Sequence, residues 1–147
     1  MEQEKEKKIR EKLLDIEDFK EIEVRVDDTD LMGVVHANKY LNYFDDGYIS
    51  LMKKLDKDCG ALHKEGIVFP VRKIEVEYIK SAEFGDTIIV GTRILKIGNT
   101  SMTIGMSCYR NKIAKDALVV KGTIVRLIMS MENKELLNII KFFDDII

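Results

Sequence analysis

A short polar loop with several aspartates and a glycine stands directly before the clearest helical pattern of the chain. It reads Asp27-Asp28-Thr29-Asp30-Leu31-Met32-Gly33 and continues into Val34-Val35-His36-Ala37. Because Asp30 lies just ahead of the helix start, its carboxylate can face a cleft at the mouth of the helix and attack a carbonyl carbon or activate water. Backbone N–H groups in a first helical turn lack intrahelical partners, so Ala37 or a neighbour can donate to a developing oxyanion. Gly33 lets the backbone and a substrate come close.

Each of these side chains also has an ordinary structural interpretation. A lone Asp-x-Asp is usually a loop or capping element, and we expect Asp27 and Asp28 to be structural. A single histidine in an apolar neighbourhood is more often packed and hydrogen-bonded than a proton carrier. We therefore expect His36 to line a pocket and orient a substrate, and Asp30 to carry the chemistry.

The helix that follows the loop has one apolar stripe. Its members recur at three- and four-residue spacing: Tyr40, Phe44, Tyr48, Leu51 and Leu55. Asn38 stands where an N-cap is expected. Gly47 lies on the apolar side, where a glycine costs about 1 kcal/mol relative to alanine. The helix is therefore predicted to approach another part of the chain closely at Gly47, for example a sheet curled around it.

Alternation of apolar and polar residues predicts strands along most of the remaining chain. The first covers residues 20–26, where Ile22, Val24 and Val26 alternate with charged residues. Four more are expected after the helix, over residues 73–78, 87–95, 101–110 and 117–129, with Pro70 at or before the start of the first of them. Helical spacing predicts two further helices, over residues 5–18 and 133–143.

The order of elements is one strand, one long apolar helix and then four strands with hairpin-like connections. Such a helix cannot stay in water, and a four-stranded meander needs one face covered. An antiparallel sheet wrapped around the helix meets both needs, so the sequence predicts an α+β hotdog fold with extra N- and C-terminal helices. We expect residues 1–19 to be a charged helical extension and residues 20–147 to be the hotdog domain.

The composition argues against several classes of function. A chain of 147 residues suits one domain, and a net charge of −2 without a basic cluster argues against a nucleic-acid partner. No apolar run reaches the roughly 20 residues that span a bilayer, and the charged residues 1–19 are not expected to act as a secretory signal because they lack its apolar segment. Cys59 and Cys108 are expected to be unpaired thiols in a reducing cytoplasm. His36 and His63 stand apart without further ligands, so neither a metal nor a cofactor is expected.

The loop and the helix start together resemble the signature of the 4-hydroxybenzoyl-CoA thioesterase family, which includes the bacterial acyl-CoA thioesterases often associated with the Tol–Pal system. The matching features are the Asp-Thr-Asp of residues 28–30, the Gly-Val-Val-His of residues 33–36, Tyr40, and the Tyr-Phe pair of residues 43–44. A second block, residues 74–82 followed by Gly85-Asp86, is similar to the strand, small-residue turn and acidic end of that family.

The resemblance implies a cytoplasmic enzyme that hydrolyses an acyl-CoA, with Asp30 as the catalytic residue, acting either as nucleophile or as general base. It implies a substrate site formed by Gly33, Val35, His36, Ala37, Tyr40 and Phe69. It also implies a homodimer with a joined sheet and active sites at the subunit interface, or a homotetramer. Neither the acyl group nor the contacts to the CoA nucleotide follow from the sequence.

One departure from the family lies on the helix, where relatives commonly continue with Ala-Arg and this chain has Gly47-Tyr48. The change removes an arginine that would pair with an acidic neighbour, which puts the local ion pairs and the shape of the acyl pocket in question.

Because a fold does not determine a function, a non-catalytic acyl-CoA or acyl-carrier-protein binding module on the same scaffold is the alternative. A hydratase acting on an enoyl-CoA is less favoured, since it needs an Asp/His pair arranged for water addition.

Overall fold

The computed structural model describes residues 1–146 and contains a five-stranded antiparallel sheet packed on a long helix, with a small two-stranded sheet beside it. In chain order the elements are α1 (Glu2–Asp15), β1 (Glu17–Glu23), a 3-10 turn (Val26–Asp28), α2 (Lys39–Lys54), α3 (Cys59–Lys64), β2 (Ile67–Val68), β3 (Val71–Tyr78), β4 (Thr87–Ile97), β5 (Ser101–Arg110), a 3-10 turn (Lys115–Ala117), β6 (Leu118–Leu127), β7 (Met129–Ser130), α4 (Ile139–Phe142) and a 3-10 turn (Asp144–Ile146). Ile147, the last residue of the predicted domain, lies outside the described residues.

The large sheet has the strand order β1-β4-β5-β6-β3, and every neighbouring pair is antiparallel. The two strands that flank the helix in sequence, β1 and β3, therefore form the two edges. Side chains alternate between faces along β5, where Met102, Ile104, Met106 and Cys108 are buried between less buried neighbours. The predicted antiparallel sheet on one central helix, with pairing of consecutive strands β4, β5 and β6, is confirmed.

The apolar stripe predicted for the central helix is the buried face of α2. Its five members are each at most 4% exposed and belong to the hydrophobic core: Tyr40, Phe44, Tyr48, Leu51 and Leu55. Burying one large apolar side chain contributes about 1.5–3 kcal/mol relative to leaving it in water. The stripe is thus sufficient to hold α2 on the sheet and to set which helix face looks into the core.

Two glycines let α2 and the sheet come into close contact. A Cβ on Gly47 would lie 2.6 Å from Thr92 Oγ1 and 2.7 Å from Val90 Cγ1, both on β4. On β6, a Cβ on Gly122 would lie 2.6 Å from the Glu75 carbonyl oxygen and 3.0 Å from the Phe44 ring. Real Cβ atoms do not tolerate such contacts, so the close approach predicted at Gly47 is confirmed.

The N-terminal helix packs on the core through one side only. Ile9 and Leu13 of α1 are 1% and 0% exposed, and the Arg10 guanidinium donates to the Ile97 carbonyl at 3.0 Å. The predicted boundary after residue 19 falls inside β1, because Phe19 is already paired opposite Gly91 of β4.

The first strand is shorter than its alternation predicts. β1 ends at Glu23, and although Val24 is buried, Val26 is 67% exposed in a 3-10 turn. The turn forms because the Asp28 carboxylate accepts a hydrogen bond from the Arg25 N–H at 3.1 Å and closes the chain on itself.

The C-terminal helix is also shorter than the predicted range of residues 133–143. Lys134 has a φ of 59°, which no α-helix allows, and the Asn133 side chain accepts from the Glu135 N–H at 2.9 Å. Helix α4 begins only at Ile139, where the Asn138 side chain caps it by accepting from the Lys141 N–H at 3.0 Å. The local hydrogen bonds of two asparagines therefore override the apolar spacing.

The connection from α2 to β3 contains structure that the sequence analysis does not predict. Asp58 caps α3 by accepting from the Gly60 and Ala61 N–H groups at 3.0 and 3.3 Å. Strand β2 then pairs with β7, with Ile67 opposite Ser130. Helix α3 and strand β2 lie against the side of α2 and form one wall of a cavity described below.

Candidate active site

The Asp30 carboxylate is held by the loop that follows it. Its Oδ1 atom accepts hydrogen bonds from the Met32 N–H at 2.8 Å and the Val34 N–H at 3.3 Å. The Asp30 N–H donates to the Val34 carbonyl at 2.9 Å and the Asp30 carbonyl accepts from the Gly33 N–H at 3.0 Å. Within residues 1–146, Oδ2 accepts no hydrogen bond, so one oxygen is fixed and the other is available.

This loop is attached to the turn before β4. Val34 pairs with Glu83, the Gly33 carbonyl accepts from the Phe84 N–H at 3.2 Å, and the Val35 N–H donates to the Ala82 carbonyl at 2.9 Å. Gly33 has a φ of 79°, a conformation that side-chain-bearing residues rarely adopt. The glycine is therefore needed for the tight turn that presents Asp30.

In the turn before α2, one backbone N–H group is unpaired and one carbonyl is held by a side chain of β3. The Ala37 N–H has no acceptor within the part of the chain that the structure describes, whereas the His36 N–H donates to the Asp28 carbonyl at 3.0 Å. The Ala37 carbonyl accepts from the Tyr78 hydroxyl at 2.9 Å. Asn38 is the N-cap residue of α2, as predicted, but its side chain makes no capping hydrogen bond. The unpaired N–H groups at this end of α2 remain available to an acceptor.

A buried tyrosine–aspartate hydrogen bond attaches the loop to α2 on the core side. The Asp28 carboxylate, 8% exposed, accepts from the Tyr43 hydroxyl at 2.9 Å, and Lys39 Nζ lies 3.7 Å from its other oxygen. Burial and the hydrogen bond to Asp28 raise the pKa of Tyr43, so its hydroxyl keeps its proton and donates. Asp28 thus has a structural role, as expected, and Tyr43 is a supporting residue, whereas the sequence analysis named it only within the Tyr-Phe pair of the resemblance.

The other residues of the predicted substrate site are divided between two places. Val35 and Tyr40 are buried beside the Asp30 loop, His36 and Ala37 are exposed at its surface, and burial raises the pKa of Tyr40. Phe69 lies apart from them within one chain. It precedes β3, whose far end carries Tyr78, and eight strand residues extend about 25 Å.

Phe69 instead lines a cavity of about 270 Å³ beside the third turn of α2. The cavity is bordered by α2, α3, β2 and β6 through Asp45, Tyr48, Ile49, Cys59, His63, Ile67, Val68, Phe69 and Arg126. Arg126 is 9% exposed, donates to Asp45 at 2.7 Å and to the Phe69 carbonyl at 3.1 Å, and lies over the Tyr48 ring at 4.3 Å. Asp45 on α2 therefore forms an ion pair with an arginine of β6.

The described residues contain no set of side chains that could bind a metal ion. Among residues 1–146, no group of three or more His, Cys, Asp or Glu side chains is arranged to hold an ion. None of the helices in that range has the length and apolar character that a membrane crossing requires. The site combines a fixed carboxylate, an unpaired backbone donor and a helix N-terminus, which together can act on a carbonyl carbon and stabilise the charge that develops on its oxygen.

Comparison with known proteins gives concordant matches. The family model of the thioesterase-like superfamily matches residues 24–144. YneP of Bacillus subtilis (strain 168), provisionally assigned as an acyl-CoA thioesterase, is 30% identical over 126 residues, covering 86% of this chain and 89% of YneP. The structure of a DHNA-CoA thioesterase from Staphylococcus aureus has a TM-score of 0.78 at 23% identity, over 88% of this chain and 85% of that one. The structure of 4-hydroxybenzoyl CoA thioesterase from Pseudomonas sp. strain CBS-3 has a TM-score of 0.76 at 16% identity, over 89% of this chain and 99% of that one.

These matches confirm the predicted hotdog fold and the predicted resemblance to the 4-hydroxybenzoyl-CoA thioesterases. The association with the Tol–Pal system stays a prediction.

Proposed function

Because this chain belongs to the thioesterase-like superfamily, we propose that it is a thioester hydrolase that converts an acyl-CoA to a free carboxylic acid and CoA. The observation that carries the proposal is the geometry around Asp30. One carboxylate oxygen is fixed by two backbone N–H groups, the other is free, and the unpaired Ala37 N–H stands at the adjacent helix start.

Asp30 supplies the chemistry in either of two ways. Its free oxygen attacks the thioester carbon, the C–S bond breaks, CoA leaves, and water then hydrolyses the mixed anhydride; or the carboxylate takes a proton from a water molecule that attacks the same carbon. Both routes place negative charge on the carbonyl oxygen. The Ala37 N–H and the positive end of α2 stabilise that charge.

The supports of the loop keep these groups in place before the substrate arrives. Tyr43 holds Asp28 from the core side, and Tyr78 holds the Ala37 carbonyl from β3. Donors that are already oriented cost no reorganisation during the reaction. We propose that Gly33, Val35, His36, Ala37 and Tyr40 line the thioester end of the substrate site.

We further propose a homodimer, or a tetramer built from it, joined through β3. This edge strand carries apolar side chains that are exposed in the single chain: Val71, Ile74 and Tyr78 are 45%, 43% and 50% exposed. Antiparallel pairing of two β3 strands about a two-fold axis puts the Val71 end of one beside the Tyr78 end of the other. Phe69 then lies near Ala37 of the partner subunit, which would unite the two parts of the predicted substrate site.

The cytoplasm is the proposed location. Cys59 and Cys108 are both free thiols, and burial raises the pKa of each, so neither is activated for disulfide exchange. A reducing compartment suits such a chain.

The first experiment measures free-thiol release from a panel of short, long and aromatic acyl-CoAs by the parent protein and by Asp30→Asn. We expect the parent to release thiol and the variant to lose about a thousandfold or more in kcat, which is of the order of removing a catalytic group. Binding of acyl-CoA without release by either protein would replace the enzyme with the binding module.

A further inference from the structure

The first residue of α2 is a lysine, which is an unfavourable choice for that position. Unpaired backbone N–H groups give the start of a helix a partial positive charge, so acidic side chains are favoured there and cations are favoured at the other end. Helix α1 follows this rule, with Glu2 and Glu4 in its first turn. Helix α2 follows it only at its end, where Lys53 and Lys54 lie in the last turn. Lys39 therefore needs a compensating interaction, and the first turn of α2 contains no acidic residue to provide it.

Asp28 provides that interaction from the loop before the helix. Lys39 Nζ lies 3.7 Å from Asp28 Oδ1. The Lys39 side chain is only 29% exposed and Asp28 is buried, so solvent and salt screen this pair less than they screen a surface pair. The other oxygen, Oδ2, accepts from the Tyr43 hydroxyl and from the Arg25 N–H. One oxygen of Asp28 thus closes its own turn and binds the core side of α2, and the other faces the first residue of the helix.

The same two residues orient the backbone around Ala37. The Ala37 N–H and the His36 carbonyl belong to one planar peptide group, so a contact that fixes the carbonyl also fixes the direction of the N–H. The His36 carbonyl accepts from the Lys39 N–H at 3.0 Å, and the His36 N–H donates to the Asp28 carbonyl at 3.0 Å. The peptide group that carries the proposed oxyanion donor therefore lies between Lys39 and Asp28.

The other contacts at this helix start do not replace the ion pair. The Asn38 side chain makes no capping hydrogen bond. The Tyr78 hydroxyl donates to the Ala37 carbonyl, which belongs to the next peptide group along the chain. The ion pair with Asp28 is therefore the side-chain contact that ties Lys39, and with it the His36 carbonyl, to the loop that carries Asp30.

We propose that Lys39 is a positioning residue, and that its ion pair with Asp28 holds the Ala37 N–H in the direction of the developing oxyanion. Lys39 acts through Asp28 and does not touch the substrate. The unfavourable charge in the first turn of α2 is thereby explained by the fixed direction of the donor. The inference rests on the proposed thioesterase function, because an oxyanion donor matters only where a carbonyl is attacked beside it.

The test replaces Lys39 and measures both the rate and the order of the backbone. Lys39→Met removes the charge and keeps an unbranched side chain, and Lys39→Arg keeps the charge. Lys53→Met is the matched control at the other end of the same helix. The kcat and KM of each protein are measured by thiol release from the acyl-CoA panel. NMR order parameters of the N–H groups of residues 36–38 are measured on the same proteins without substrate.

We expect Lys39→Met to lower kcat about tenfold with KM changed by less than about twofold, because the misdirected donor matters only as the oxyanion forms. Lys39→Arg should keep most of the parental kcat, and Lys53→Met should match the parent. The order parameters should fall in Lys39→Met from the rigid-backbone value of about 0.85. Its melting temperature should stay close to that of the parent, since the lost ion pair is offset by the removal of a cation from the positive end of α2.

Several results would overturn the proposal. These are an unchanged kcat in Lys39→Met, a rise in KM alone, unchanged order parameters, or a loss of kcat that Lys39→Arg does not relieve. A loss of kcat that comes with a lowered melting temperature would also overturn it, because Lys39 would then act on the stability of the whole fold.

A double-mutant cycle tests whether Lys39 acts through Asp28. If the ion pair carries the effect, Lys39→Met combined with Asp28→Asn should lose about as much kcat as the larger of the two single losses. A loss equal to the product of the two would contradict that route. If the parent releases no thiol from any acyl-CoA, the proposed function fails, and the order parameters alone decide whether Lys39 and Asp28 fix the peptide group.

Discussion

At the start of α2, the buried Tyr43 hydroxyl and Asp28 carboxylate bind each other at 2.9 Å, whereas the buried Tyr48 hydroxyl further along the same helix has no partner among residues 1–146. The Tyr43–Asp28 pair supports the loop that presents Asp30. Further along α2, the Tyr48 side chain borders the cavity, but its hydroxyl is buried and makes no hydrogen bond. The contrast indicates that the Tyr43 hydroxyl stabilises the loop through a hydrogen bond and that the Tyr48 hydroxyl contributes none.

The largest change in stability is expected from the ion pair at the cavity. Asp45→Ala leaves the buried Arg126 guanidinium with the Phe69 carbonyl and the Tyr48 ring. We expect a loss of about 2–3 kcal/mol, less than the roughly 3–5 kcal/mol of a fully buried pair, because Asp45 is 57% exposed. Chemical denaturation measures it. Asp46→Ala is the matched control, since burial and then the neighbouring Asp45 charge raise the pKa of Asp46 and its removal should cost nothing. Equal losses in both variants would show that the ion pair with Arg126 does not set the effect.

A matched pair of tyrosines gives the next effect and the sharpest contrast. Tyr43→Phe leaves the Asp28 carboxylate with the Arg25 N–H but without the Tyr43 hydroxyl, and should cost about 1.5–2 kcal/mol, in the lower part of the range for a hydrogen bond to a charged group. Tyr48→Phe removes the same atom from the same helix and should cost nothing. Thermal unfolding of the two variants side by side measures the difference. If both lose equally, the Tyr48 hydroxyl has a partner in solution and the contrast between the two regions disappears.

A smaller effect on rate is expected from Tyr78. Its hydroxyl donates to the Ala37 carbonyl but is half exposed, so Tyr78→Phe should change stability by less than about 1 kcal/mol. We expect kcat to fall about five- to tenfold with little change in KM, because the loss loosens the oxyanion donor and not the pocket. A change in KM alone would make Tyr78 a binding residue.

The smallest expected effect is on the pH dependence of the helix-start region. Desolvation alone would raise the pKa of Asp86, but hydrogen bonds from the Glu83 N–H and Asn111 and the nearby Arg110 guanidinium hold it below its usual value. A lowered folded pKa means that the stabilisation is present above the unfolded pKa of about 3.9 and is lost as pH falls through the folded value. Melting curves of the parent should therefore show an acid-range loss that Asp86→Asn lacks. Identical pH profiles would show that Asp86 does not cause the acid-range loss of stability.

The same two regions show what could be predicted from the sequence. The stripe on α2, the close approach at Gly47 and the strands β4 to β6 follow from periodicity and local chemistry, and the structure has them. The pairs Tyr78 with Ala37 and Arg126 with Asp45 join residues 41 and 81 positions apart, and no local pattern indicates such partners. The cavity depends on α3 and β2, which are too short for periodicity to reveal.

Two wrong boundaries have a common physical cause. Val26 fits an alternating strand and Leu136 fits a helical face, yet both are exposed, at 67% and 44%. In each place a short polar side chain, Asp28 or Asn133, accepts a backbone N–H and turns the chain. Such local hydrogen bonds compete with regular structure. An Asp or Asn near the end of a periodic segment is therefore the sequence signal that would have indicated the earlier boundary.

The most direct test of the central claim compares two aspartates of the same loop. In a thiol-release assay with the best acyl-CoA of the panel, Asp30→Asn should lose about a thousandfold or more in kcat while its melting temperature stays close to that of the parent. Asp28→Asn should lower the melting temperature, because it weakens the bond to Tyr43, and should lose far less activity in its folded state. A fully active Asp30→Asn, or an Asp28→Asn that is stable and inactive, would contradict the assignment of the catalytic carboxylate to Asp30.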